Sequence, residues 1–249
     1  MILTLCTAEE TLNILLCAHG RILEFASQAR AGRMNETMAP VVAAMLDRHT
    51  DTPATPLLAA VACVRGPGSF TGVRLGLAFA TGLCLARQIP LAGLDYLPPL
   101  AASAPDGFDE IHVITHSRAN KVYHQSFQPP VRPLAAPTVL TPARDLATQA
   151  ARAIIADRAS TCRVAVLGSG LTRNPQAFAD LDKRATRLSI ENPTPQALLA
   201  ATQTARYDGP PIDALYLRGS DAEENLAAIA KGRGLTEAEA RMRMERALK

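Results

Sequence analysis

Short apolar runs broken by polar pairs open the chain. Ile2 to Cys6, Thr11 to Cys17 and Arg21 to Ala26 each read as a strand, with Glu9-Glu10 and His19-Gly20 between them. Breaks this short join neighbouring antiparallel strands, so the pattern predicts a meander. Apolar residues at helical spacing follow from about Arg33 to Arg48, and a proline-rich linker leads into a strand from Leu58 to Val64. A glycine-rich nonapeptide, Gly66 to Arg74, separates that strand from an apolar helix over Val73 to Arg87. The order of elements is βββαβα.

The order recurs after the break at Pro98-Pro99 and Pro105-Asp106-Gly107. Strands are predicted over Ile111 to Thr115 and Lys121 to Phe127, and an irregular proline-rich stretch leaves room for a third. A helix from Ala143 to Arg158, a strand from Arg163 to Leu167, the turn Gly168-Ser169-Gly170 and further helices complete the second half. The expectation is an α/β protein of two lobes, residues 1–106 and 107–249, with duplicated βββαβα topology. Element order alone carries this, since no residue-level repeat accompanies it. Near the C-terminus the pattern adds a short strand, Ala214 to Leu217, and charged helices from Asp221 and Thr236.

Composition narrows the class. A 249-residue chain that is 48% apolar and 20% charged is ordinary for a soluble globular protein. Its apolar runs are too short and interrupted to span a bilayer, and its first residues lack the cationic-then-apolar order of a secretory leader. A cytosolic (cytoplasmic) protein with no membrane partner is expected. The five cysteines are scattered without a C-x-x-C pair, which suits reduced buried thiols and not zinc. Net charge is +3, too small to argue for nucleic acid by itself, although 22 of the 26 basic residues are Arg. With no tryptophan and 4% aromatic residues, a base-stacking surface is not expected.

Gly66, Pro67, Gly68, Ser69, Phe70, Thr71, Gly72 and Arg74 are the candidate motif loop. Its glycines permit close backbone approach, and Ser69 or Thr71 is placed to cap the following helix. Such a joint either holds an anion at the helix N-terminus or lets the helix pack tightly, and the second is favoured. No Lys-Ser/Thr pair follows Gly72, as a Walker loop requires, and the last interval is one residue too long for a dinucleotide fingerprint. The H-E-x-x-H of common zinc hydrolases is absent. His112 and His116 form an H-x-x-x-H pair, but a strand would hold them roughly 13 Å apart, too far to share a metal. No catalytic residue, metal site or cofactor is therefore predicted.

Two helices are candidates for a partner surface. In the first, Met34, Met38, Val41 and Met45 form one stripe with Val42 and Leu46 beside it, a pattern of core or of an adaptable interface. The second is apolar nearly all round, through Val73, Leu75, Leu77, Phe79, Leu83 and Leu85, while Gly72, Gly76, Ala80 and Cys84 make a small-residue ridge that permits close helix approach. The predicted interface comprises Met34, Met38, Val41, Met45, Gly72, Gly76, Phe79, Ala80 and Leu83. A large charged residue at Gly76 or Ala80 is expected to abolish association and leave the fold intact. Thr236-Glu237-Ala238-Glu239 reads as a helix-capping signature. In the helix after it, Arg241, Arg243 and Arg246 are either solvated or contact tRNA phosphates, with Glu239 and Glu245 offsetting their charge.

Four segments, Ile2 to Thr7, Gly66 to Arg74, the hairpin from Arg118 to Tyr123 and Leu215-Tyr216-Leu217-Arg218, make most of the chain resemble the TsaB (YeaZ) family. That resemblance implies an actin-like (ASKHA) fold related to Hsp70 and the sugar kinases. It implies a noncatalytic partner of TsaD, with TsaE in a ternary complex, in forming threonylcarbamoyladenosine at position 37 of ANN-decoding tRNAs. It also implies paired N-lobe helices as the interface, a homodimer when alone, and tRNA bound through the complex. Where relatives often carry Asp at the end of the first strand of each lobe, this chain has Cys6 and His116, which removes hard-oxygen ligands for magnesium. In the hairpin, Asn120 is expected in the left-handed conformation, and Arg118 and Tyr123 are either functional or ordinary strand residues. The alternative is an actin-like small-molecule kinase, or an acyl- or carbamoyl-transfer enzyme acting alone, which requires tight Mg-ATP binding without a partner.

Overall fold

The computed structural model describes residues 1–29, 33–50, 57–129, 136–181, 185–209 and 211–217, with isolated positions between 230 and 242. Met1–Leu215 and Tyr216–Lys249 are separate compact units, and both β-sheets lie in the first.

The opening meander forms as the polarity pattern predicts. Strands β1 (Ile2–Cys6), β2 (Thr11–Ala18) and β3 (Arg21–Ala29) pair antiparallel in sequence. Helix α1 (Met34–Thr50) leads to β4 (Ala60–Gly66), parallel to β1, and α2 (Phe70–Arg87) leads to β5 (Leu91–Asp95), parallel to β4. The first sheet therefore has the order β3-β2-β1-β4-β5. Strand β5 is not anticipated from the polarity pattern, because Leu-Ala-Gly-Leu is too short and small to stand out from the helix before it. A short helix, α3 (Leu97–Ala101), closes this half.

The second sheet repeats the plan. Strands β6 (Glu110–Arg118) and β7 (Lys121–Gln128) form an antiparallel hairpin, and β8 (Thr138–Val139) and β9 (Arg144–Ala147) both pair with β7, together standing where a third meander strand would. Helix α4 (Thr148–Ala159) leads to β10 (Val164–Leu167), parallel to β6, and α5 (Ser169–Arg173) precedes β11 (Ala185–Arg187), parallel to β10. The order β11-β10-β6-β7-β8 matches the first sheet element for element. The helix expected from Ala143 starts instead at Thr148, because residues 144–147 gain a strand ladder on β7 that local propensity does not foresee.

Helix α6 (Pro195–Thr204) returns to the first sheet, where the Thr4 and Thr202 hydroxyls meet at 2.7 Å and Asn13 Nδ2 donates to Asn192 Oδ1 at 3.1 Å. The main core is continuous across both sheets, from Leu3, Leu5 and Val61 to Val113, Phe127 and Leu167. A second cluster, including Ile114, Ile155, Val166 and Phe178, fills the space under α4.

Residues 214–217 are not a strand, although Leu215 N–H donates to Arg65 O at 2.7 Å. In the second unit the capping signature closes as expected, since Thr236 N–H donates to Glu239 Oε2 at 2.8 Å and Glu239 N–H to Thr236 Oγ1 at 3.3 Å. Arg218, the helix start at Asp221, Glu237, Arg241, Arg243, Glu245 and Arg246 lie outside the described residues.

Gly168 shows how tightly α5 is set. Its φ is +113°, and a Cβ there would lie 2.2 Å from Ile114 O. Both the backbone conformation and the missing space exclude a side chain. Gly168→Ala is expected to cost about 3 kcal/mol in urea unfolding.

Candidate functional site

The nonapeptide loop is a packing joint. Ser69 N–H donates to Ala8 O at 2.7 Å, and Ser69 Oγ caps α2 by accepting from Gly72 N–H at 3.2 Å. A Cβ on Gly68 would stand 2.3 Å from Ala8 O, one on Gly72 2.2 Å from Thr7 O, and one on Gly76 2.3 Å from Thr7 Oγ1. The glycines thus let the end of β1 and its turn press against the start of α2. Phe70 and Arg74 form the outer edge of this joint, with the guanidinium 3.7 Å from the ring centroid.

This packing corrects the predicted docking ridge. Gly72, Gly76, Ala80 and Cys84 are buried on the chain's own first sheet and turn. Met34, Met38 and Met45 are core residues as well, while Val41, Phe79 and Leu83 are only partly buried. A charged side chain at Gly76 or Ala80 would therefore break the fold, and the expectation that it spares the fold is withdrawn. The open face of α2 lies on the opposite side. Its seam is Thr71, Leu75, Ala78, Gly82 and Leu85, at alternating four- and three-residue steps. Leu85 is 65% exposed, and a Cβ added to Gly82 meets nothing within 4 Å. Ala78, Gly82 and Ala86 form a second small-residue row, displaced by two residues and so by about 200° from the buried one. Periodicity shows both rows but does not show which faces the sheet.

The second group of candidate residues lies where the turn after β1 meets β6 and α5. Burial pushes the Cys6 thiol up to about 12, so it is inert at neutral pH. His116 is lowered by burial and by the Arg173 charge. Carboxylates are nevertheless present, because the turn after β1 supplies them. Ser169 Oγ donates to Glu9 Oε1 at 2.7 Å while accepting from His116 N–H at 2.9 Å, and Arg173 meets Glu10 at 2.5 Å. Removal from water lifts the Glu9 carboxyl to about 7; the Ser169 bond and the Arg173 charge oppose this, and the charges of Glu191 and Glu10 add to it. Attention to strand ends alone misses Glu9. The signal was the Glu9-Glu10 pair in a two-lobed fold, which brings that turn against the second sheet. Among the described residues no group of three or more His, Cys, Asp or Glu has metal-binding geometry.

His112 does not pair with His116. Its Nδ1 is 2.9 Å from His124 Nε2 on β7, and its Nε2 is 3.0 Å from Glu110 Oε1, off the hydrogen-bonding direction. Arg158 Nε donates to Glu110 Oε2 at 2.7 Å. Burial raises the Glu110 carboxyl, but contacts to His112 and Arg158 outweigh it and bring the group down to about 2. With Glu110 ionised, the Nε2 proton belongs on His112, so His112 Nδ1 accepts from His124 Nε2–H. Tyr123 is buried in the sheet, and Asn120 has φ of +59°, the left-handed turn expected of it.

Sheet order and duplicated topology define a two-lobed actin-like α/β protein. Residues 29–146, just under half of the chain, match the family described as TsaD: tRNA N6-adenosine threonylcarbamoyltransferase. The chain is 38% identical over 71 residues to the tRNA threonylcarbamoyladenosine biosynthesis protein TsaB of Escherichia coli K12, covering 28% of this chain and 31% of that one. It is 29% identical over 128 residues to the Bacillus subtilis 168 protein of the same name, covering 51% and 55%. The match thus spans about half or less of the length of these curated relatives. A Pseudomonas aeruginosa protein described as similar to peptidase YeaZ superposes with a TM-score of 0.68 at 21% identity, covering 87% of this chain and 99% of that one. YeaZ from the same organism gives 0.64 at 22% identity, covering 81% and 90%. Over these spans the chain is similar in sequence to proteins named TsaB, and its fold is similar to that of the YeaZ structures.

Proposed function

We propose that this protein is a noncatalytic scaffold subunit in the formation of N6-threonylcarbamoyladenosine at position 37 of ANN-decoding tRNAs. It binds TsaD as a heterodimer, takes TsaE into a ternary complex, meets tRNA through that complex, and forms a homodimer when alone. Two lobes divided near residue 106 carry the role, the first presenting the docking helices.

The observation behind this reading is the open seam of α2. Leu85 offers apolar area, and Gly82 and Ala78 allow a partner helix to approach closely. The inert Cys6 thiol and the hydrogen-bonded Glu9 carboxyl support a protein that organises a partner's chemistry. Light scattering after size exclusion tests the proposal. A homodimer that converts to a one-to-one complex on adding TsaD is the expected result, and a chain that never engages TsaD removes it.

The rival, an actin-like enzyme acting alone, draws on Glu9 and on Glu10 and Glu191, which act on it electrostatically. It requires Mg-ATP to bind the isolated protein with micromolar affinity in calorimetry. Absence of heat at millimolar nucleotide is the expected outcome.

A further inference from the structure

Helices α3 and α6 are pinned where Thr194 N–H donates to Ser103 Oγ at 2.8 Å and Ser103 Oγ donates to Pro99 O at 2.9 Å. Along the rest of the pair the facing positions are small: Ala197, Ala200, Ala201 and Thr204 on α6, Pro98 and Pro99 on α3. Side chains this short leave a cavity of about 340 Å³, with Leu94 of β5 on its sheet side. The chain after α6 supplies Ala205 and Arg206 to the wall. It is tied to the first sheet, since Gly209 N–H donates to Leu91 O at 3.0 Å and Leu215 N–H to Arg65 O at 2.7 Å. The cavity is thus preformed, and its size is at the lower end of the range of small-molecule sites.

The polar groups on the wall choose the ligand. Arg65 Nε donates to Asp95 Oδ1 at 2.7 Å, and the Arg65 Nη groups have no partner among the described residues. Arg206, just past the end of α6, is held only loosely, with its Nε 3.7 Å from Asp208 Oδ2. Thr204 turns its hydroxyl proton to the α6 carbonyls, Ala200 O at 3.0 Å and Ala201 O at 3.3 Å. The side-chain donors left for a ligand are therefore guanidinium N–H groups, which match a carboxylate in two parallel hydrogen bonds. Two guanidiniums against the one Asp95 carboxylate leave a single net positive charge on the wall, which suits a monoanion better than a phosphate dianion. We propose that this cavity binds a small monocarboxylate, its carboxylate on Arg65 and Arg206 and its short apolar body between α3 and α6. No wall comes from α2, so the site is independent of the docking seam.

Titration of the full isotope-labelled chain with octanoate, followed by amide NMR, tests the site, with octanol and octylammonium as neutral and cationic controls. Saturable shifts are expected at Gly93, Ala200, Ala201 and Arg206, and octanoate should bind about tenfold tighter than either control. Arg65→Met keeps an apolar stem and is expected to bring octanoate to the affinity of octanol. Ala201→Leu, which fills the cavity, should abolish binding of all three. Shifts that do not saturate at these residues, or a control that binds as tightly as octanoate, overturn the proposal. So does an unchanged octanoate preference in Arg65→Met, or wild-type octanoate affinity in a folded Ala201→Leu protein. The wild-type titration decides by itself if either variant fails to fold.

Discussion

Leu85→Glu is expected to weaken association with TsaD, and self-association, by at least about a hundredfold, as loss of a central apolar anchor does. Its stability should stay within about 0.5 kcal/mol of wild type, since Leu85 is 65% exposed. Ala80→Glu behaves in the opposite way. Ala80 is fully buried under α2, so an ionised carboxylate there should cost about 4 kcal/mol or more, a large share of a domain's stability. Calorimetric titration with TsaD and urea unfolding of both variants separate the two effects. Wild-type affinity in a folded Leu85→Glu protein would exclude the α2 seam as the docking surface.

The second large effect is a loss of stability in acid that originates in the His112–His124 pair. Burial depresses the His124 imidazole to about 4, against an ordinary value of 6.5, with the neighbouring His112 and Arg144 adding to this and the Glu110 charge opposing it. A histidine lowered on folding contributes stability that is complete above pH 6.5 and lost as pH falls towards 4. The difference corresponds to about 3 kcal/mol. Glu110, lowered to about 2, withdraws a further contribution below pH 4.5, again on acidification. Glu9 has the reverse sign: raised to about 7, it costs stability as pH rises from 4.5 through 7 and returns it in acid. The wild-type profile is therefore flattened by two opposing titrations. In the Glu9→Gln background the His124 loss of about 3 kcal/mol between pH 7 and pH 4, with the onset of the Glu110 loss, should appear unopposed by Glu9 in urea unfolding. A flat profile there, or a His124 ring titrating near 6.5 by NMR, would contradict the depressed, buried His124.

Both predictions depend on facts of different origin. The polarity pattern by itself determines the meander, the strands that become β4 and β10, and the duplicated order, because alternation and helical periodicity follow from how residues face one core. Ser69 as a helix cap and Asn120 as a left-handed turn residue are equally local, each set by a side chain acting on its own backbone. The resemblance carried by Gly66 to Arg74 is legible for the same reason: close approach of a turn to α2 can be met only by glycine at Gly68 and Gly72.

What needed the tertiary structure is everything that turns on which side of an element meets which neighbour. Helix α2 carries two small-residue rows about 200° apart, and only the sheet beneath it makes Gly76 and Ala80 interior and Gly82 and Leu85 exterior. Residues 144–147 become strand because β7 offers an edge. His112 finds its partner 12 positions away on the paired strand and not four away on its own. Glu9 meets Ser169 across 160 residues, a contact created by folding one lobe's turn against the other lobe's helix. Periodicity sets how residues are arranged around an element; the packing of elements decides which of those residues meet.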